Sequence, residues 1–391
     1  MILFEEAFEI VMDTARRLDT ERVGIENCLN RILAEDVISD IEMPPFNKSA
    51  MDGFACRRAD LADNLTVVET IPAGYAPKKK ILQGQCAKIM TGAVVPDGAD
   101  CVIMVEYTKS ISDEQIHFNG DNTLDNICFR AEDVKKGDIV LPKGMKIRPQ
   151  QIAILAAVGC TNPLVSRQPK VGVIATGNEL VEPHVQPDFS QIRNSNSYQL
   201  AAQIHNMSAI PLYYGIAPDE EQAIDSMLKK AIRETDVILL SGGVSMGDFD
   251  LVPKVLRQNN IQLVFEKVAI KPGKPTVFGL SDRAFFFGMP GNPVSTLIIF
   301  EILVKPFLYK TMGYDFKPVI IEKQLSKTIS RKRTERKSCI PVAFATNGKA
   351  RPVEYHGSAH INAMCDADGI VEIPIGVAEI REGTVVDVRR I

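Results

Sequence analysis

Apolar positions along the chain change period several times, and each change marks an element. Phe4, Phe8, Val11, Met12, Ala15 and Leu18 recur at helical spacing, which predicts an amphipathic helix over residues 3–18. From about residue 40 to 145, short apolar runs such as LTVVETI, CAKIM and CVIMVEY are separated by Gly, Pro and Asp turns, the pattern of a β-rich, antiparallel unit. PQQIAILAAVG returns to helix, with Pro149 in its first turn and Gly159 as its stop. From residue 168 strands and helices alternate. KVGVIAT, AIPLYYGI, DVILLSGG, QLVFEKVAI, TVFGL and AFFFGM read as strands. NSYQLAAQIHNM (with Ser195 or Asn196 as cap), residues 219–234, FDLVPKVLRQN and residues 293–312 read as helices. Continuously apolar strands alternating with helices belong to a doubly wound, mostly parallel sheet buried on both faces. Beyond 318, VIIEKQL, CIPVAFA, GIVEIPI and TVVDVRR suggest a small β-barrel.

The predicted fold class is therefore α/β plus β-rich subdomains in an elongated chain. A helical linker subdomain comprises residues 1–42 and 137–167, and a β-rich subdomain residues 43–136. An α/β domain covers 168–315 and a C-terminal β-barrel 316–391. The 391 residues suit two to four domains. With 45% hydrophobic and 24% charged residues the composition is that of an ordinary soluble protein. A net charge of -4 provides no broad basic field for nucleic acid, so any anionic ligand must be met by local positive charge. No apolar run approaches the ~20 residues of a membrane span. MILFEEAFEI lacks the basic start and apolar core of a secretion signal, and the cytoplasm is the expected compartment. The eight cysteines form no C-x-x-C pair, and glycine separates His356 from His360 in HGSAH, so a Cys/His metal site is not expected.

Ligands of open α/β sheets bind outside the carboxyl ends of the strands, which directs attention to four loops. SGGVSMGDFD places Gly242, Gly243 and Gly247, with Ser245, between a strand and a helix, where backbone amides can approach an anion; a flexible connection explains the glycines as well. Pro290, Gly291, Asn292 and Pro293 form a helix start whose free amides could hold phosphate, or simply a well-made cap. KVAIKPGKP gathers Lys267, Lys271 and Lys274 on a proline-stiffened turn, which favours a polyanionic ligand. Glu179, Asp219, Asp248 and Asp250 would repel such a ligand unless a divalent cation lay between them, which suggests magnesium and pyrophosphate. For Asp219, in PDEEQ, a helix-start charge is the stronger structural explanation. Asp52, in PPFNKSAMDGFA, is either a turn acid or a carboxylate presented for chemistry.

KSAMDGFA, KIMTGAVVPDGADCVIMVE, TGNEL, SGGVSMGDFD, KVAIKPGKP and MPGNPVS, in this order and spacing, resemble the molybdopterin molybdenumtransferases, the family of bacterial MoeA proteins and the gephyrin E domain. The resemblance implies insertion of molybdenum from molybdate into adenylylated molybdopterin, with release of AMP and dependence on magnesium. It implies an elongated homodimer whose active site lies between the α/β subdomain of one subunit and the β-rich subdomain of the other. The adenylyltransferase that makes the substrate and the molybdoenzymes that receive the cofactor are the implied further partners. Carried over by motif, the functional set is Asp52, Thr91, Asp133, Glu179, Asp219, Asp250, Lys267, Lys271, Lys274, Pro290 and Pro293, with Glu179, Asp219 and Asp250 as metal ligands. Ser358 matches a serine thought to help hold molybdate, and Arg336 a nearby arginine. The chain departs from the pattern at Asn178, where an acid is usual, at Phe54, where tyrosine is common, and in KRTERKSC, which lacks the usual glycine and acid. A molybdopterin adenylyltransferase, a tungsten-inserting homologue and a gephyrin-like scaffold are the competing functions.

Overall fold

The structure, a computed structural model, describes residues 1–244, 251–354, 357 and 359–391. Its centre is a six-stranded sheet in the order Ile210–Ala217, Lys170–Thr176, Val237–Ser241, Phe285–Met289, Val277–Leu280 and Gln262–Phe265. The first four strands are parallel, and Val277–Leu280 runs against both of its neighbours. Side chains alternate between two cores, as a doubly covered sheet requires. Val237, Leu239, Phe285 and Phe287 pack on one face with the Asn196–Asn206 helix; Ile238, Leu240 and Phe286 pack on the other with Glu221–Glu234 and Val252–Gln258.

The helix expected over 293–312 has a wide turn in its middle. Pro293–Ile299 and Lys305–Thr311 are α-helical, and Phe300–Val304 between them is π-helical. Pro306 supplies the reason, since its ring lacks an N–H and crowds the carbonyl four residues back. Arg389, in the last strand, donates from Nη2 to the carbonyl of Glu301 at 2.8 Å and so satisfies a group within the wide turn.

QLVFEKVAI, read above as one strand, divides. Gln262–Phe265 is an edge of the central sheet, whereas Ile270–Lys271 leaves it and pairs in parallel with Lys337–Ser338 of the C-terminal domain. Between them the start of the chain intervenes: Ile2 donates its N–H to the Lys267 carbonyl, and Ala269 donates to the Ile2 carbonyl. The C-terminal strands Ile320–Gln324, Val385–Arg390, Gly369–Ile373, Lys337–Phe344 and Ala350–Pro352 are each antiparallel to the next. A bridge from Leu325 to Ala350 returns to the first and closes the barrel around Leu325, Val342, Val371 and Val388.

Residues 43–136 carry a second six-stranded sheet, in the order Cys101–Met104, Gly53–Cys56, Gln85–Ile89, Asn64–Ile71, Gln115–Phe118 and Thr108–Ser112. It is antiparallel except where Asn64–Ile71 runs parallel to Gln85–Ile89. The long connection between those two strands makes a crossover possible where a short turn would have made a hairpin. The N-terminal helix ends at Thr14 rather than 18, and its Phe4, Ala7 and Val11 pack into the core of the α/β domain. The linker subdomain has its own core, in which the Pro149–Ala157 helix covers Leu33, Leu141 and Val165.

Candidate functional site

Lys170–Thr176, Val237–Ser241 and Phe285–Met289 end side by side, and the loops after them touch. Gly242 has φ +97, and a Cβ there would lie 2.4 Å from the Thr176 carbonyl oxygen; Gly243 has φ +62, and a Cβ there would lie 2.8 Å from Thr176 Oγ1. Only glycine gives both this backbone and this approach. The Gly242 N–H donates to the Met289 carbonyl. Asn196 ties the loops from the helix behind them, its Nδ2 donating to Ser241 Oγ at 2.9 Å and to the Gly291 carbonyl at 2.7 Å. Asn196 Oδ1 and Thr176 Oγ1 are buried without a hydrogen-bond partner, so the strand ends hold an unfilled acceptor and a hydroxyl. The sequence signals Asn196 only through a polar cluster, IRNSNS, at a helix start, and carries no functional signal for Thr176. Ser195 takes the N-cap position of that helix, as expected, but its side chain makes no capping bond; Asn194 Oδ1, one residue earlier, accepts the Ser197 N–H. Ser245, Gly247, Asp248, Asp250 and Ser358 lie outside the described residues.

Asn178 and Asp219 tie two loops together. Asn178 N–H donates to Asp219 Oδ2 at 3.2 Å, and Asp219 N–H donates to Asn178 Oδ1 at 3.1 Å. Asp219 thus does not cap the following helix, whose N-cap position is Glu220. Glu179, next to Asn178, has an exposed side chain, while its carbonyl accepts the Ile192 N–H. Among the described residues no three His, Cys, Asp or Glu side chains converge as a metal cage. Glu179 and Asp219 nevertheless present carboxylate oxygens on neighbouring loops, hard donors of the kind magnesium takes.

Beside these loops a cleft of about 940 Å³ opens between the α/β domain and the barrel. Lys271, Lys274, Pro290, Gly291 and Asn292 form one wall, and residues 329–336 the other. The Ile270–Lys271 pairing with Lys337–Ser338 joins the two walls. Lys271 and Lys274 are exposed; Lys267 does not line the cleft, its backbone being engaged with Ile2. Among the described residues, six cations face the space, Lys271, Lys274, Arg331, Lys332, Arg333 and Arg336, against one acid, Glu335. The arginines differ in role. Arg331 donates to the carbonyls of Val377, Arg336 and Pro374 and to Ser338 Oγ, and burial lowers its pKa. Arg336 makes one long bond, 3.3 Å, to the Ile270 carbonyl and keeps most of its donors for a ligand.

Asp52 and Thr91 are brought together on the 43–136 sheet. The Thr91 N–H donates to Asp52 Oδ1 at 2.7 Å, and the Val105 N–H to the Asp52 carbonyl. Gly53 is buried, and a Cβ there would lie 1.9 Å from the Ile103 carbonyl oxygen, so its close approach is to a neighbouring strand. Asp133 is exposed, its N–H bonded to the Met43 carbonyl. None of the residues lining the cleft comes from 43–136. Around Asp52 and Thr91 the apolar side chains of Met51, Met90 and Val105 are exposed.

Residues 2–159 match the MoeA N-terminal region (domain I and II), residues 172–310 a probable molybdopterin binding domain, and residues 327–391 the MoeA C-terminal region (domain IV). The chain belongs to the MoeA family. A molybdopterin molybdenumtransferase of Staphylococcus epidermidis is 34% identical over 99% of this chain and 95% of its own length. One from Bacillus subtilis is 33% identical over 98% and 93%. A crystal structure of the molybdopterin biosynthesis MoeA protein from Pyrococcus horikoshii OT3 superposes with a TM-score of 0.86 at 32% identity, covering both chains fully. Within this MoeA framework two departures have structural explanations. Phe54 is buried in the core of its β-sheet, where a hydroxyl would need a partner. Asn178 retains a structural role through its exchange of hydrogen bonds with Asp219.

Proposed function

We propose that this chain performs the transferase step of molybdenum cofactor biosynthesis in the cleft between the α/β domain and the barrel, inserting molybdenum from molybdate into adenylylated molybdopterin and releasing AMP. The observation that carries this reading is the opposition of Lys271 and Lys274 to Arg336, Lys332 and Arg333 across one space. Both substrates are oxyanions, and lysine and arginine donors are suited to hold them. In this reading the lysines face the phosphoanhydride, and stabilising the negative charge that grows as it breaks is their catalytic contribution. In this reading the Pro290–Asn292 turn positions phosphate oxygens through backbone groups, while the Gly242–Gly243 turn, whose Gly242 N–H is bonded to the Met289 carbonyl, shapes the loop beside it. Glu179 and Asp219, with Asp250 carried over from the family motif, would hold magnesium, which when bound offsets phosphate charge as a Lewis acid.

Asp52, Thr91 and Asp133 sit on a unit that contributes nothing to the cleft of its own chain. In our reading a second copy supplies them, docking through the apolar rim of Met51, Met90 and Val105, so that the active enzyme is a homodimer. The deciding experiment combines purified protein, adenylylated molybdopterin, molybdate and magnesium. AMP release that depends on molybdate is expected; its absence with authentic substrate would sink the assignment.

A further inference from the structure

Among the described residues, no side-chain hydrogen bond or ion pair holds the Glu179 carboxylate. It folds back over Gly177, where a Cβ would lie 2.4 Å from Glu179 Oε2 and where φ is +144. Gly177 follows the Lys170–Thr176 strand, so the carboxylate sits over a strand end.

The backbone therefore decides where Glu179 points. On one side Asn178 is tied to Asp219. On the other, Leu180–Val181 pairs in parallel with Ile192–Arg193. The Ile192 N–H donates to the Glu179 carbonyl at 2.7 Å, and the Asn194 N–H to the Val181 carbonyl at 2.8 Å. Two residues a side make a marginal pairing in water.

Glu182, the next residue, is clasped by two tyrosines of the α/β domain. Tyr213 Oη, on the edge strand Ile210–Ala217, donates to Glu182 Oε1 at 2.6 Å. Tyr198 Oη, in the first turn of the Asn196–Asn206 helix, donates to Oε2 at 3.1 Å. The two rings lean on each other with centroids 5.8 Å apart. The direction of the shorter bond is set from behind. Oδ1 of the buried Asn194 accepts the Ser197 N–H, which turns its Nδ2 toward Ser197 Oγ and, at 2.8 Å, Tyr213 Oη. The Tyr213 hydroxyl accepts there and keeps its hydrogen for Glu182. A carboxylate accepts one hydroxyl on each oxygen and strengthens both bonds with its charge. Glu182 lines no part of the basic cleft, so any effect it has on the site passes through its neighbours.

We propose that Glu182 is a positioning residue for Glu179: clasped by Tyr198 and Tyr213, it pins residues 180–193 to the α/β domain and so keeps the Glu179 carboxylate over the strand end. The proposal rests on the reading of Glu179 as a magnesium ligand.

Two measurements on the whole chain test it. Amide hydrogen exchange reads the anchoring. Glu182→Ala speeds exchange of the Ile192 and Asn194 amides about tenfold and leaves central-strand amides such as Val173 unchanged; Glu182→Gln, with one acceptor oxygen, has a smaller effect. Manganese(II), a paramagnetic substitute for magnesium, reads the consequence through the loss of its free-ion resonance on binding. Glu182→Ala and Tyr213→Phe weaken manganese binding roughly tenfold, and Glu182→Gln retains it in part. Melting curves separate these effects from unfolding. Exchange unchanged by Glu182→Ala would overturn the anchoring. Faster exchange with unchanged manganese affinity would leave Glu182 holding a loop and overturn the positioning role alone. A wild-type protein that binds no manganese would overturn the magnesium reading, and this inference with it.

Discussion

Asn178 and Asp219 hold each other by two reciprocal hydrogen bonds, each backbone N–H donating to the other's side chain. The amide thus does the structural work of a carboxylate at this position while leaving one negative charge fewer beside Glu179. Asn178→Asp preserves the acceptor and adds the charge. Without divalent cations it is expected to destabilise the protein by on the order of 1 kcal/mol through repulsion by Asp219. Magnesium should recover most of that loss. Asn178→Ala loses the acceptor of the Asp219 N–H, costs about 1 kcal/mol, and responds little to magnesium. Melting temperatures across a magnesium titration check both; identical curves for Asn178→Asp with and without the ion would show that these acids do not share one.

The placement of Asp52 gives a mixing experiment. On the proposal that both residues serve one site, Asp52→Ala and Lys271→Ala should each be inactive. If they reach it from different subunits, a mixed dimer contains one site with both residues intact. Equal mixing after subunit exchange should restore about one quarter of wild-type activity, since half the dimers are mixed and half their sites are complete. Zero recovery, with exchange verified, would place both residues in one chain's site.

Much of this was legible in the sequence, because the α/β strands are apolar along their whole length and their helices are amphipathic. The failures have physical causes. QLVFEKVAI is apolar throughout, and nothing local says that Ile270 changes sheets; the partner that draws it away, Lys337, lies far along the chain. The parallel pair Asn64–Ile71 and Gln85–Ile89 was hidden because strand direction depends on the connection, not on the strand. At the site, the motifs located Lys271, Lys274 and the glycine turns. They group Lys267 with two lysines that line the cleft, which it does not, and they do not point to Asn196, which bridges two loops remote in sequence.

Arg331 and Arg336 should separate stability from activity. Arg331→Lys cannot reproduce four bonds to Val377, Arg336, Pro374 and Ser338, and is expected to cost about 2 kcal/mol in denaturant unfolding with KM little changed. Arg336→Ala should leave the unfolding midpoint nearly in place and raise KM for molybdate about tenfold, corresponding to one lost charge-assisted contact. The reverse pattern would exchange the two roles.

Glu35 supplies an acid-limb prediction. Burial on its own would raise its carboxyl, but hydrogen bonds from Arg22 and from the Leu164 N–H, with the charge of Arg22, outweigh it and hold the pKa below the ordinary value. A lowered folded pKa contributes stability that is present above the unfolded value of about 4.3 and lost as pH falls through the folded value. Glu35→Gln should therefore melt below wild type at neutral pH and converge with it under acid. A constant difference between the two across that range would show that ionisation of Glu35 contributes nothing.

The short pairing of Ile270–Lys271 with Lys337–Ser338 bears on how such a protein can change over generations. One residue gained or lost just before Ile270 would turn Lys271 to the opposite side of its strand. A barrel borrowed from another lineage would have to arrive with a matching edge. The barrel edge and the Lys271 loop therefore share one register, although nearly seventy positions separate them along the chain.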